Sequence, residues 1–136
     1  MSAEAAFQDA VLARLAADVD VQAVLGDPAR VFDAAPNGAA YPYLAAGRAV
    51  SEPRDALDAD LIEHRLTLHL WTRDTGRRET KVMLGIIRAV VHEADMTLDG
   101  GYELVSCRAV YADVFGAQDN RLAHGVLRIR ALIQTI

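Results

Sequence analysis

The chain has one cysteine, Cys107, one lysine, Lys81, and one tryptophan, Trp71, among 136 residues. A lone cysteine excludes an intramolecular disulfide and a CxxC zinc frame, and it fits a reducing compartment. No apolar run reaches the roughly 18 residues that a membrane-spanning helix needs, so no membrane partner is expected. The opening "MSAEAAFQDA" has neither a basic nor a greasy region, so nothing marks the chain for secretion. Internal repeats and low-complexity segments are also absent. So are the glycine patterns that cradle phosphates: the glycines form neither GxGxxG nor a P-loop.

What is there suffices for a packed core. The chain is 52% hydrophobic and 24% charged, and its length argues for one domain over residues 1–136. The net charge of −5 gives no bulk attraction to nucleic acid or anionic lipid. All basic residues but Lys81 are arginine. Arginine is the side chain of choice for interfaces and carboxylate pairing, although the codon bias of an Ala- and Arg-rich genome produces the same skew.

Periodicity divides the chain into helix, two strands, helix, two strands. Residues 3–18 predict a helix capped by Ser2, with Phe7, Val11 and Leu15 on one stripe. Asp18 or Asp20 caps a shorter helical turn that Gly26 ends. An extended piece at Val31–Phe32 and a Pro-Asn-Gly turn at 36–38 precede a strand from about Tyr41 to Val50. The polar, acidic stretch 51–60 reads as a long loop. A strand from 62 to 73 follows, then a helix with Val82, Ile86 and Val90 on one stripe and Met83, Ile87, Val91 and Ala94 beside it. Asp74 or Thr75 should cap that helix, and Gly85 inside it should mark a close packing contact. Two alternating runs, 102–115 and 122–135, complete the chain. This order predicts an α+β domain: a largely antiparallel, four- to five-stranded sheet with helices on one face.

The segment "EHRLTLHLWTRD", residues 63–74, is the densest in candidate chemistry. A strand alternates its faces, so His64, Leu66, Leu68 and Leu70 share one side and Arg65, Thr67, His69, Trp71 and Arg73 the other. His64 and His69 therefore point apart and cannot chelate one metal from this segment. His92 and His124 lie in no HExxH or comparable frame, so no metal site is expected. His92 reads as a surface residue at a helix C-terminus, and His124 as a residue that can bond a neighbouring loop. Ser2, Ser51 and Ser106 lack a GxSxG elbow, and Cys107 sits mid-strand as a buried, inert thiol. No catalytic or cofactor-binding residue is assigned.

One constellation survives. Arg65, His69, Trp71 and Arg73 on this strand, Ser106 and Arg108 on the fourth and Arg128 and Arg130 on the last are expected on a common sheet face. Tryptophan and arginine are enriched where interfaces concentrate their binding energy. Asp55, Asp58 and Asp60 offer a natural acidic counterpart on a neighbouring copy.

Three segments in order complete the picture: Ala-Pro-x-Gly-x-x-Tyr-Pro-Tyr (Ala35 to Tyr43), His-Arg-Leu-Thr-Leu-His-x-Trp (His64 to Trp71) and His-Gly-x-x-Arg-x-Arg-Ala (His124 to Ala131). With them the chain resembles, over nearly its whole length, the tail-completion or tail-terminator family of long-tailed phages and gene transfer agents. The resemblance implies a structural subunit without chemistry of its own and without cofactors. It implies a hexameric ring, a homo-oligomer capping the head-proximal end of the tail tube. That ring would stop polymerisation of the tube protein and join the head–tail connector (stopper or adaptor) proteins. DNA would pass through the lumen without specific binding. The location implied is the head–tail junction of a virion or gene-transfer-agent particle, made in the bacterial cytoplasm. The rival readings are another connector or adaptor ring of that joint, and a small enzyme using His64, His69 or His124.

Overall fold

The computed structural model describes residues 2–55, 59–116 and 121–136. The first helix, α1 (Ala3–Ala17), starts where the Ser2 hydroxyl accepts the Ala5 N–H at 3.1 Å. Its buried stripe is Phe7, Val11 and Leu15, as the i, i+4 spacing predicts. Asp18 leaves helical geometry and its carboxylate accepts the Val21 N–H at 3.0 Å, so the chain turns and restarts as α2 (Val19–Leu25), which Gly26 closes. Strand β1 (Val31–Phe32) follows. The Pro36–Ala39 turn has Gly38 at φ +75°, a conformation that glycine adopts without steric cost.

Strands β2 (Tyr43–Pro53) and β3 (Leu61–Arg73) pair antiparallel, with Ser51 opposite His64 and Glu52 opposite Glu63. The strand thus runs three residues past Val50, and the acidic connection is shorter than the sequence suggested. Of its acids, Asp55 and Asp60 are exposed, while Asp58 lies outside the described residues. Helix α3 (Gly76–Val91) crosses back, and β4 (Tyr102–Gly116) and β5 (Leu122–Thr135) complete the sheet. The spatial order is β1-β2-β3-β5-β4. Every pairing is antiparallel except β1 with β2. The result is an α+β domain whose three helices pack on one sheet face, as the element order predicts.

Between sheet and helices lie Leu44, Leu66, Leu68, Leu70, Leu127, Ile129 and Ile133, facing Phe7, Val11, Leu15, Ile87 and Val91. Burial of this kind stabilises by about 25 cal/mol per Å² of apolar surface. Three sequence expectations for α3 need correction. Its buried stripe is Thr80, Leu84, Ile87 and Val91, whereas Val82 is exposed. The sheet surface dictates this rotation, because Leu84 comes against Gly125. Thr75 holds the N-cap position but makes no side-chain cap. The first turn is tied down instead by Thr80, whose hydroxyl donates to the Gly76 carbonyl at 2.9 Å and accepts from Thr72 on β3 at 2.7 Å. Gly85 makes no close contact, since a Cβ there would meet nothing within 4 Å. Among the described residues no helix is long and apolar enough to cross a membrane.

Candidate functional site

Among the described residues no second layer covers the face of the sheet away from the helices. Cross-strand register assembles it: Arg65 lies opposite Arg130, Thr67 opposite Arg128 and Trp71 opposite His124 on β3 and β5. On the far side, β4 sets Arg108 opposite Arg130, Tyr111 opposite Arg128 and Phe115 opposite His124. His64 sits on the other, core-facing side, as alternation requires. It is buried, bonded through Nδ1 to the Ser51 hydroxyl at 2.7 Å, with Phe7 edge-on at 5.8 Å. Burial lowers its pKa against the weaker opposing pull of Glu4, so it is neutral near pH 7.

The open face carries two clusters. At its outer end Glu63 is buried beneath three guanidinium groups: Arg54 Nε at 2.9 Å, Arg65 Nη2 at 2.5 Å and Arg130 Nε at 3.1 Å. Glu52 also meets Arg54, at 3.1 Å. Burial pushes the Glu63 carboxyl up, but Arg130, Arg65 and Arg54 together outweigh it and hold the pKa below the ordinary value. Arg65 and Arg130, expected in the interface set, also neutralise an internal carboxylate.

The second cluster is aromatic. His124 stacks on Trp71 at 3.9 Å and 15°, packs on Phe115 at 4.8 Å and hydrogen-bonds His69, Nε2 to Nδ1, at 2.7 Å. The sequence suggested a loop partner for His124; the strand register supplies an imidazole instead. Burial lowers the pKa of both rings, aided at His69 by Arg128 and at His124 by His69, with Asp113 opposing. Two neutral imidazoles suit the bond, one ring donating and the other accepting. Gly47, at the β2 bulge between Ala46 and Ala49, makes room, because a Cβ there would overlap the His69 ring. Among the described residues no group of three or more His, Cys, Asp or Glu side chains is placed to hold a metal ion.

Over this face runs a groove of about 620 Å³, lined by Arg48, Arg65 and Arg128 and, among its apolar residues, by Val50, Phe115 and Val126. Arg128 lies 4.5 Å from the Tyr111 ring centroid, a cation–π contact. Arg73 likewise rests over Tyr41 at 5.2 Å, further along the face. Arg108, opposite Arg130 at the sheet edge, also meets Glu93 at 2.9 Å. His92 is no plain surface residue either: it ends α3 and its Nδ1 accepts the Ala109 N–H at 3.0 Å. Cys107 is buried as expected, its thiol pushed up to about 11 by burial and bonded to the Val91 carbonyl at 3.4 Å.

Residues 9–134 match the family described as "Tail completion protein gp17". The chain belongs to that family. It is thus a phage-type tail structural protein, a component of the virion. Among solved structures, the fold matches a chain of the virion of a native gene transfer agent particle with a TM-score of 0.86 and 24% identity. That alignment covers 98% of this chain and 99% of the other. The bacteriophage SPP1 gp17 protein aligns with a TM-score of 0.62 and 20% identity, over 98% of this chain and 91% of its own. Among curated proteins none matches.

Part of the open face is hidden from the sequence. Glu63 reads as one acid among many until the register places three arginines around it. Arg48 is hidden because the bulge breaks the alternation that would assign its face. Phe115 and Tyr111 become part of the site only once β4 is known to flank β5.

Proposed function

We propose that this tail completion protein acts as a tail terminator: six copies close into a ring on the head-proximal end of the tail tube. The ring stops polymerisation of the tube protein and presents a seat for the head connector, and DNA crosses its lumen without specific contact. The open sheet face, with Arg65, His69, Trp71, Arg73, Arg128 and Arg130, is read as the surface that meets a neighbouring subunit or partner. Asp55, Asp58 and Asp60 are candidate acidic counterparts on a neighbouring copy for the Arg65, Arg73 and Arg130 part of this face, and Arg108 belongs to the same set. The role is structural, with no catalytic step, metal or cofactor assigned.

The observation that carries this reading is the family match over nearly the whole chain, supported by a sheet face that the described residues leave without a covering layer. A half-exposed tryptophan with exposed arginines is the composition of binding hot spots rather than of ordinary solvated sheet. Deleting the gene tests it. Tails of irregular length, or tails that fail to join heads, are expected in electron micrographs of the lysate. Tails of normal length joined to heads would sink the reading, and label on the head side of the joint would favour an adaptor ring.

A further inference from the structure

The two sides of the molecule differ in charge. Residues 2–33, which hold α1 and α2, carry Glu4, Asp9, Asp18, Asp20, Asp27 and Asp33 against Arg14 and Arg30. On the opposite side, Arg48 and Arg128 flank the groove with no carboxylate partner among the described residues. The one acid lining that groove, Asp113, accepts a hydrogen bond from the Tyr111 hydroxyl at 3.3 Å.

The acidic side also has an apolar tip. Val19 is 76% exposed, the highest value among the large hydrophobic side chains described. Its exposure follows from the helix break: Asp18 caps α2, Val21 and Leu25 turn inward, and Val19 in the first position is turned out. Asp20 beside it is exposed, and so is Asp27 just beyond the other end of α2. α2 packs on α1 and α3, on the side of the molecule away from the open face.

We propose that the groove of one copy seats the Val19–Asp20 corner of the next, with Val19 against the apolar lining and Asp20 and Asp27 meeting Arg48 and Arg128. Groove and corner lie on opposite layers, so two copies cannot satisfy both reciprocally. The contact is heterologous and propagates head to tail, which is what a closed ring requires. This deepens the ring reading above and rests on it. Guanidinium–carboxylate pairing across a partly apolar contact supplies the steering and the register.

The test uses the full chain with paired cysteines and a short bis-maleimide, Cys107 being buried. Val19→Cys combined with Val50→Cys should give a ladder of cross-linked oligomers, and Val19→Cys alone should give none. On that background Arg128→Glu or Asp20→Arg should each lower the yield by about tenfold, and the two together should restore it. A cross-linked dimer from Val19→Cys alone means a two-fold contact and overturns the proposal. So does rescue of Arg128→Glu by Asp55→Arg in place of Asp20→Arg, which assigns the groove to the β2–β3 connection. An unchanged ladder with loss of duplex-DNA binding in Arg128→Glu assigns the groove to phosphates and overturns it as well. Oligomers in sedimentation without the ladder overturn the proposal and leave the ring reading standing. Neither oligomers nor ladder, even with tail tubes added, removes both.

Discussion

At the scale of single residues, burial decides what the histidines do. His64 is enclosed by core, and His69 and His124 share one hydrogen bond within an aromatic cluster. In all three the folded pKa lies below the unfolded value of 6.5. The fold therefore favours the neutral form, and the stability this contributes is present above pH 6.5 and lost as pH falls below it. Each imidazole that takes up a proton on unfolding adds a slope of at most about 1.4 kcal/mol per pH unit. Glu63 and Asp74, whose folded pKa values are lowered, lose their contribution in a separate range, below their ordinary values of 4.5 and 3.8. Denaturant midpoints measured from pH 7.5 to pH 5 should thus fall, and His64→Gln should flatten the curve in that window. An unchanged slope in the variant would remove His64 from the explanation.

At the scale of elements, Gly85 shows the difference between a residue tolerated and a residue required. It lies within α3 with open space around its Cα. Alanine there should stabilise the protein by up to about 1 kcal/mol, the helix propensity difference, read as a higher denaturation midpoint. A loss would reveal a contact that the geometry does not show. The strands were legible because their alternation is long and regular: β5 begins and ends where the pattern does. The buried stripe of α3 was less so, because Val82, Ile86 and Val90 and the Leu84, Ile87, Val91 row are both apolar, and only the sheet selects between them. The His69–His124 bond was not legible at all, since it joins residues that only strand register brings together. Edge strand β4 shows the same limit. Its edge is partly covered by the end of α3, where the Glu93 N–H donates to the Cys107 carbonyl at 2.8 Å and His92 accepts from Ala109. Such covering blunts the pairing of exposed strand edges.

At the scale of the whole molecule, surface left open by folding is the material for assembly, and Trp71 separates the two processes. In the isolated chain one face of its ring stacks on His124 and the side chain is only half-buried. Trp71→Ala should therefore cost folding about 1–2 kcal/mol, the stacking term plus part of the apolar burial. A tryptophan at the centre of a subunit contact costs about 2 kcal/mol or more when truncated, roughly thirtyfold in the equilibrium. In a ring that loss recurs at every joint, so closure fails while the subunit remains folded. Sedimentation over a concentration series, beside denaturation of the same samples, measures both quantities. A variant that unfolds more easily yet assembles at the wild-type concentration would confine Trp71 to the packing of His124. One that stays folded and no longer closes would place the tryptophan in the joint.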